Sequence, residues 1–174
     1  MFKTVRADLH AFTKNGSFVS KVKCLIISHA CHLVLMIRFG QFISKIPMIG
    51  SILRVIIEYA IRVVFSSDIS LRAKIGRGLV IMHGHDIVIG RDVVIGTNCK
   101  IMNGVTLGNK DTESTENQQP VVGDHVIIGT GAKILGGIVI GNNVKIGANS
   151  VVITDIAPDS VAVGIPARVT KNVQ

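Results

Sequence analysis

Thirteen aliphatic side chains recur on a six-residue beat: Ile69, Ile75, Ile81, then Ile89, Ile95, Ile101, Leu107, then Val122, Ile128, Ile134, Ile140, Ile146 and Val152. The 3.6-residue period of a helix does not fit this spacing. A short strand plus a turn in every hexad does fit, with coils stacked into a parallel β-helix. Eight of the thirteen are followed directly by glycine, as at Gly76, Gly90 and Gly129, so an inward side chain is coupled to a tight turn. Residues two places ahead of the beat (Ala73, Leu79, Val93, Cys99, Val105, Val126, Ala132, Ile138 and Val144) are small or apolar and complete the inward face. Each large aliphatic side chain buried in such a column contributes about 1.5–3 kcal/mol at most, and the dry interior disfavours charged groups. Chemistry is therefore expected on the outside or where the rhythm breaks.

The rhythm breaks twice. Between Ile81 and Ile89 there are two residues too many, and between Leu107 and Val122 there are three more than two hexads need. The second break, residues 109–120 (NKDTESTENQQP), is polar throughout and is expected to leave the column as an exposed loop.

Upstream of Asp68 the pattern is different. Residues 22–43 and 49–65 read as two helices separated at Lys45-Ile46-Pro47, where proline disfavours continuation. This gives an N-terminal helical segment over 1–67 and a β-helix domain over 68–174. The longest uncharged run, Cys24 to Ile37, has fourteen residues, short of the roughly 20 that cross a bilayer. In the second helix Arg54, Glu58 and Arg62 form a charged stripe at i, i+4 and i+8, with Ile and Val on the rest. An amphipathic pair of this kind packs on itself or a neighbouring subunit, or rests peripherally on a membrane.

The formal charge of +8 is concentrated here: residues 1–67 hold nine Lys/Arg against two Asp/Glu, while 68–174 hold ten against nine. With aromatics at 4% and basic residues scattered among apolar runs, neither a stacking platform nor a nucleic-acid recognition module is present, so no nucleic-acid partner is expected. An anionic membrane surface or an acidic subunit fits the charge better. Cys24, Cys31 and Cys99 have neither metal-ligand spacing nor an even-numbered disulfide framework, and residues 1–20 lack an apolar signal core. A cytoplasmic location, at the inner face of the membrane if the helices touch lipid, is the expectation.

Of six histidines, His83 and His85 stand out because they occupy the interval with two extra residues, in IMHGHDIVIG. His83, two past Ile81, holds an outward position and is the favoured base; His85 would point inward in an unbroken repeat. Asn103 follows Ile101 as His83 follows Ile81, which places its amide beside that imidazole. A zinc site would need three protein ligands and an open position. His83, His85 and His125 lack the spacing of the β-helical carbonic anhydrases, so no metal is expected. Cys99 falls on the inward beat and is a poor nucleophile.

The stretches DISLRAKIGRGLVIMHG, VTLGN, GTGAKILGGIVIGNNVKIGANSVV and GIPARV, spread over residues 68–170, resemble the hexapeptide-repeat acyltransferases and, within them, the serine O-acetyltransferase branch. The resemblance implies a mainly β fold: a left-handed parallel β-helix, with the short N-terminal pair of α-helices before it and a basic tail after it. It implies a homotrimer, leaving open whether trimers pair, with acetyl-CoA as co-substrate in a groove between columns. The catalytic His–Asp pair of that family falls on His83 and Asp68, and its coenzyme contacts fall around Gly108, Thr130 and Ala148. Arg168 and Lys171 are placed to meet phosphates, and His85 and Asn103 to meet the acceptor.

Two departures bear on the acceptor. The aspartate that precedes the histidine in serine acetyltransferases is Met82 here, and the Arg-His pair ahead of the proline is Gln118-Gln119. With the short N-terminus, these departures are similar to the small exopolysaccharide O-acetyltransferases of the colanic-acid type. The leading expectation is therefore acetyl transfer to a sugar hydroxyl, on a carbohydrate carried by a membrane lipid. The alternative is serine O-acetylation in cysteine synthesis, and a non-enzymatic β-helix is the third reading.

Overall fold

The computed structural model describes residues 2–13, 16–111, 113 and 118–172, the side chains of 171 and 172 excepted. Four helices come first: α1 (Phe2–Phe12), α2 (Phe18–Ile27), α3 (His29–Ile43) and α4 (Gly50–Phe65). The run expected as one helix over 22–43 is broken at Ser28. There the backbone turns extended, and the Ser28 hydroxyl accepts from the Cys31 N–H to start a new helix. The axes of α2 and α3 differ by 85°.

From Asp68 the chain winds as a solenoid of short strands: β1 (Asp68–Ile69), β2 (Lys74–Ile75), β3 (Val80–Met82), β4 (Val88–Ile89), β5 (Val94–Ile95), β6 (Lys100–Met102), β7 (Thr106–Gly108), β8 (Val121–Val122), β9 (Ile127–Ile128), β10 (Lys133–Leu135), β11 (Val139–Ile140), β12 (Lys145–Ile146), β13 (Val151–Val152), β14 (Ser160–Gly164) and β15 (Ala167–Asn172). Every third strand returns to the same face. The first face runs β1-β4-β7-β10-β13, the second β2-β5-β8-β11, and the third β3-β6-β9-β12-β14, closed by β15. All pairings are parallel except β14 with β15. The segment expected to be a loose basic tail is therefore an antiparallel strand that finishes the third face.

The beat residues fill the prism: twelve of the thirteen are buried and Ile75 is half-buried against the core. The register also corrects the size of the second break. Leu107 stacks under Ile134 and Ile95 under Val122, so the loop replaces one hexad and carries nine extra residues. Within the loop, residues 112 and 114–117 lie outside the described ones.

The helices close the open bottom of the column. Leu33, Val34 and Ile37 from α3 and Ile61 and Phe65 from α4 join Ile69, Leu71, Leu79 and Ile81 in one continuous core, as an end cap must do for a stack of repeats. A buried ion pair pins this cap. Asp8 and Arg38, 1% and 5% exposed, meet at 2.8 Å and 3.2 Å. Asp8 also accepts from the N–H groups of Gly78 and Leu79, and Arg38 donates to the carbonyls of Ile75 and Gly76.

Candidate active site

The corner where the third face turns into the first carries the two extra residues, and the register shows which they are. Met82 stacks under Met102 and Val88 under Thr106. Between these fixed points the Gly104 N–H donates to the His85 carbonyl, just as the Gly131 N–H donates to Asn103 and the Asn149 N–H to Thr130. His85, Asn103, Thr130 and Ala148 therefore form a vertical column of equivalent turn positions, and the inserted pair is His83-Gly84. This corrects the placement of Asn103, which stacks over His85 rather than over His83.

His83 has φ 56°, in the left-handed region, and its side chain is exposed. Gly84 is buried behind it: a Cβ there would lie 2.9 Å from Leu33 Cδ2 and 3.4 Å from Ala30 Cα, so any larger residue would have to displace the Leu33 methyl for the bulge to sit against α3. The insertion is thus seated on the helical cap and presents His83 outward. A cavity of about 440 Å³ opens at this point, lined by Met82, His83, Gly84 and His85 from the corner and by Phe12, Ser28, His29 and Ala30 from the helices. His29, which the sequence offered only as one of six histidines, rests on Phe65 with ring centroids 4.5 Å apart. The spacing of the repeats carried no signal for it, because it arrives from α3.

Higher up the corner, the Thr130 hydroxyl donates to Asn103 Oδ1 at 3.2 Å, and Lys133 Nζ donates to the Gly104 carbonyl at 2.6 Å. Asn103 and Thr130 are half-buried and Ala148 is exposed, leaving an open strip beside the column. Arg168, on β15, is exposed at the top of the third face. The backbone of Lys171 pairs with Val161, and its side chain lies outside the described residues.

Asp68 and Gly108 lie on the first face, which this corner leads into. Asp68 sits on β1 beneath the strand that this corner feeds, but its carboxylate accepts from Arg62 Nη2 at 2.7 Å, and among the described residues no hydrogen bond joins it to His83. Gly108 lies at the far edge of the first face from the corner. A Cβ on it would meet nothing within 4 Å, and its carbonyl accepts from the Gly136 N–H. Beside Gly108, under the polar loop, a second cavity of about 300 Å³ is lined by Asn109, Lys110, Gln118 and Gly136. The Gln119 side chain accepts from the Asp92 N–H. Burial pushes the Cys99 thiol up, away from the thiolate a nucleophile needs. Among the described residues no three His, Cys, Asp or Glu side chains converge on a metal position.

A triangular solenoid of hexapeptides with a histidine-bearing insertion in its first coil defines the class of transferases built on such repeats. Residues 119–154 match the family described as bacterial transferase hexapeptide (six repeats), and residues 86–110 match the hexapeptide repeat of succinyl-transferase. The serine acetyltransferase of Synechococcus elongatus is 35% identical over 175 residues, covering 97% of this chain and 68% of that protein. Serine acetyltransferase from Brucella abortus in complex with coenzyme A superposes with a TM-score of 0.90 at 27% identity, over 99% of this chain and 68% of that one. Soybean serine acetyltransferase complexed with serine gives 0.87 at 35% identity, over 97% and 68%. The chain belongs to the hexapeptide-repeat acyltransferase family, and these relatives within it are serine acetyltransferases. The chain spans from 40% to 68% of the length of the curated relatives it matches here.

These relatives overturn the expectation of a sugar acceptor. The short helical N-terminus pointed toward the exopolysaccharide enzymes, yet superposition over 97–99% of the chain takes in all four helices, so they are shared with the serine acetyltransferases. The exchanges at Met82, Gln118 and Gln119 stand as local differences within that fold.

Proposed function

We propose that this protein is a serine O-acetyltransferase that uses acetyl-CoA. The observation that carries the reading is the placement of His83, thrust outward by a two-residue insertion at the foot of a strip bordered by Asn103, Thr130 and Ala148. That strip has the small side chains that let an extended coenzyme lie along a corner, and relatives of this fold are known with coenzyme A and with serine. His83 and Gly108 occupy opposite edges of the first face, so a neighbouring copy is needed to bring a Gly108 edge to a His83 corner. A homotrimer with its grooves between columns supplies this.

In the reaction, neutral His83 accepts the serine hydroxyl proton as the oxygen attacks the thioester carbonyl. The new C–O bond forms, the C–S bond breaks, and the proton passes from the imidazolium to the departing thiolate. His85 and His29 face the same cavity and border the acceptor. Arg62 engages only Oδ1 of Asp68, so the second carboxylate oxygen can accept from the His83 ring N–H and orient it while the ion pair stays in place; Asp68→Asn is expected to lower kcat less than loss of His83 does. Free thiols at Cys24, Cys31 and Cys99 suit a reducing, cytoplasmic setting.

The test is release of coenzyme A from acetyl-CoA by the purified full chain, with and without free serine. Serine-dependent release is expected, and a rate with serine no higher than the background thioester hydrolysis would overturn the proposal. Met82, 39% exposed beside His83, stands where the relatives' acidic residue falls. Met82→Asp is expected to lower the KM for serine about two- to fivefold, the worth of one partly solvated ion pair with its ammonium group, with kcat changed less.

A further inference from the structure

We infer that α4 is a membrane-binding element, laying one face on a bilayer rich in anionic lipid. Its exposed side chains are not the polar ones of an ordinary surface helix. Ile49, Ile52, Val55, Ile56, Tyr59 and Val63 recur at helical spacing, and each is 53–64% exposed. Lone exposed aliphatics are normal, but a continuous apolar stripe along one helix marks an interaction surface. The opposite side of α4 is committed to the fold through Ile61 and Phe65, so the stripe cannot turn inward.

Charge selects the occupant. Of the two acidic residues among 2–67, Asp8 is buried under Arg38. Glu58 is half-buried, accepting from the Leu71 N–H and lying 3.9 Å from Arg54. Every exposed Lys, Arg, Asp or Glu on the described part of residues 2–67 is therefore basic: Lys3, Arg6, Lys23, Lys45 and Arg62, of which Arg62 is paired with the exposed Asp68 of β1. Two copies of this basic helical segment brought together on the stripe would set like net charge against like, whereas anionic headgroups offer the segment opposite charge. No single helix is long and apolar enough to cross a membrane among the described residues. At sixteen residues α4 is about 24 Å long, suited to lying in the interfacial plane. Because α4 leads directly into β1, the column would stand on the bilayer with its first coil, and hence His83, nearest the lipid.

The experiment mixes the purified full chain with vesicles of phosphatidylcholine alone or rich in phosphatidylglycerol, followed by sedimentation. Binding to the phosphatidylglycerol vesicles is expected to exceed binding to phosphatidylcholine at least about tenfold and to fall with added salt. Ile56→Asp, at an exposed position and so compatible with an unchanged thermal midpoint, is expected to weaken binding at least about tenfold. Lys45→Glu, outside the helix, serves as a second variant with an expected loss of about fivefold or more. Failure to bind either vesicle, equal binding to both, or full binding by the two variants overturns the inference. So does a drop in assembly size on Ile56→Asp without lipid, which would assign the stripe to a contact between copies.

Discussion

Replacing His83 with alanine is expected to cut kcat by about 10²–10⁴-fold while leaving coenzyme A affinity within a few-fold of the parent. His83 lies on the two-residue insertion and is backed by Gly84, so removing its imidazole takes away the proposed proton acceptor without disturbing the turn column of Asn103, Thr130 and Ala148. His85 is held by the ordinary turn ladder through its own carbonyl, and His85→Ala should be much milder. Steady-state rates paired with calorimetric titration of coenzyme A separate the two roles. A His83→Ala protein that keeps half its turnover would remove the general base from the mechanism.

The second large effect concerns stability. Asp8→Ala is expected to destabilise the fold by about 3–5 kcal/mol, because it leaves Arg38 charged and unpaired in an interior site. Many buried ion pairs can be exchanged for apolar side chains with little loss. This one differs, since Asp8 also satisfies the N–H groups of Gly78 and Leu79 while Arg38 satisfies two carbonyls of the first coil. An Asp8→Leu, Arg38→Met double replacement would orphan all four backbone groups, so it should stay well below the parent as well. Urea unfolding reads both; an Asp8→Ala protein within about 1 kcal/mol of the parent would show that water replaces the carboxylate.

The column was legible because a six-residue beat has one structural solution, and the positions two ahead of it are buried as that solution requires. What the spacing lacked was register. Counting from Leu107 to Val122 cannot tell one hexad with a nine-residue insertion from two hexads with three; only the stacking of Leu107 under Ile134 decides it. The same ambiguity hid which two residues were inserted at the first break, and so which histidine Asn103 would face. The apolar run from residue 22 to 43 read as one helix because Ser28 is a weak break in composition, although its hydroxyl is a good helix cap. Asp8 gave no signal at all, since its partners are thirty and seventy positions away. The sugar acceptor was suggested by three side-chain positions and a short N-terminus, but local exchanges carry less information than a backbone that 97% of the chain shares with a serine acetyltransferase.

Seating the His83 bulge in the lowest coil, with Gly84 packed against Leu33, makes the two ends of the solenoid unequal. Rungs beyond Ala148 can be added or lost with only the closing hairpin to rebuild, so column height is free to vary among descendants of this scaffold. The His83 bulge is not free in that way: any remodelling of α3 also shifts its backing, so the helical foot and whatever chemistry is done at His83 must change together.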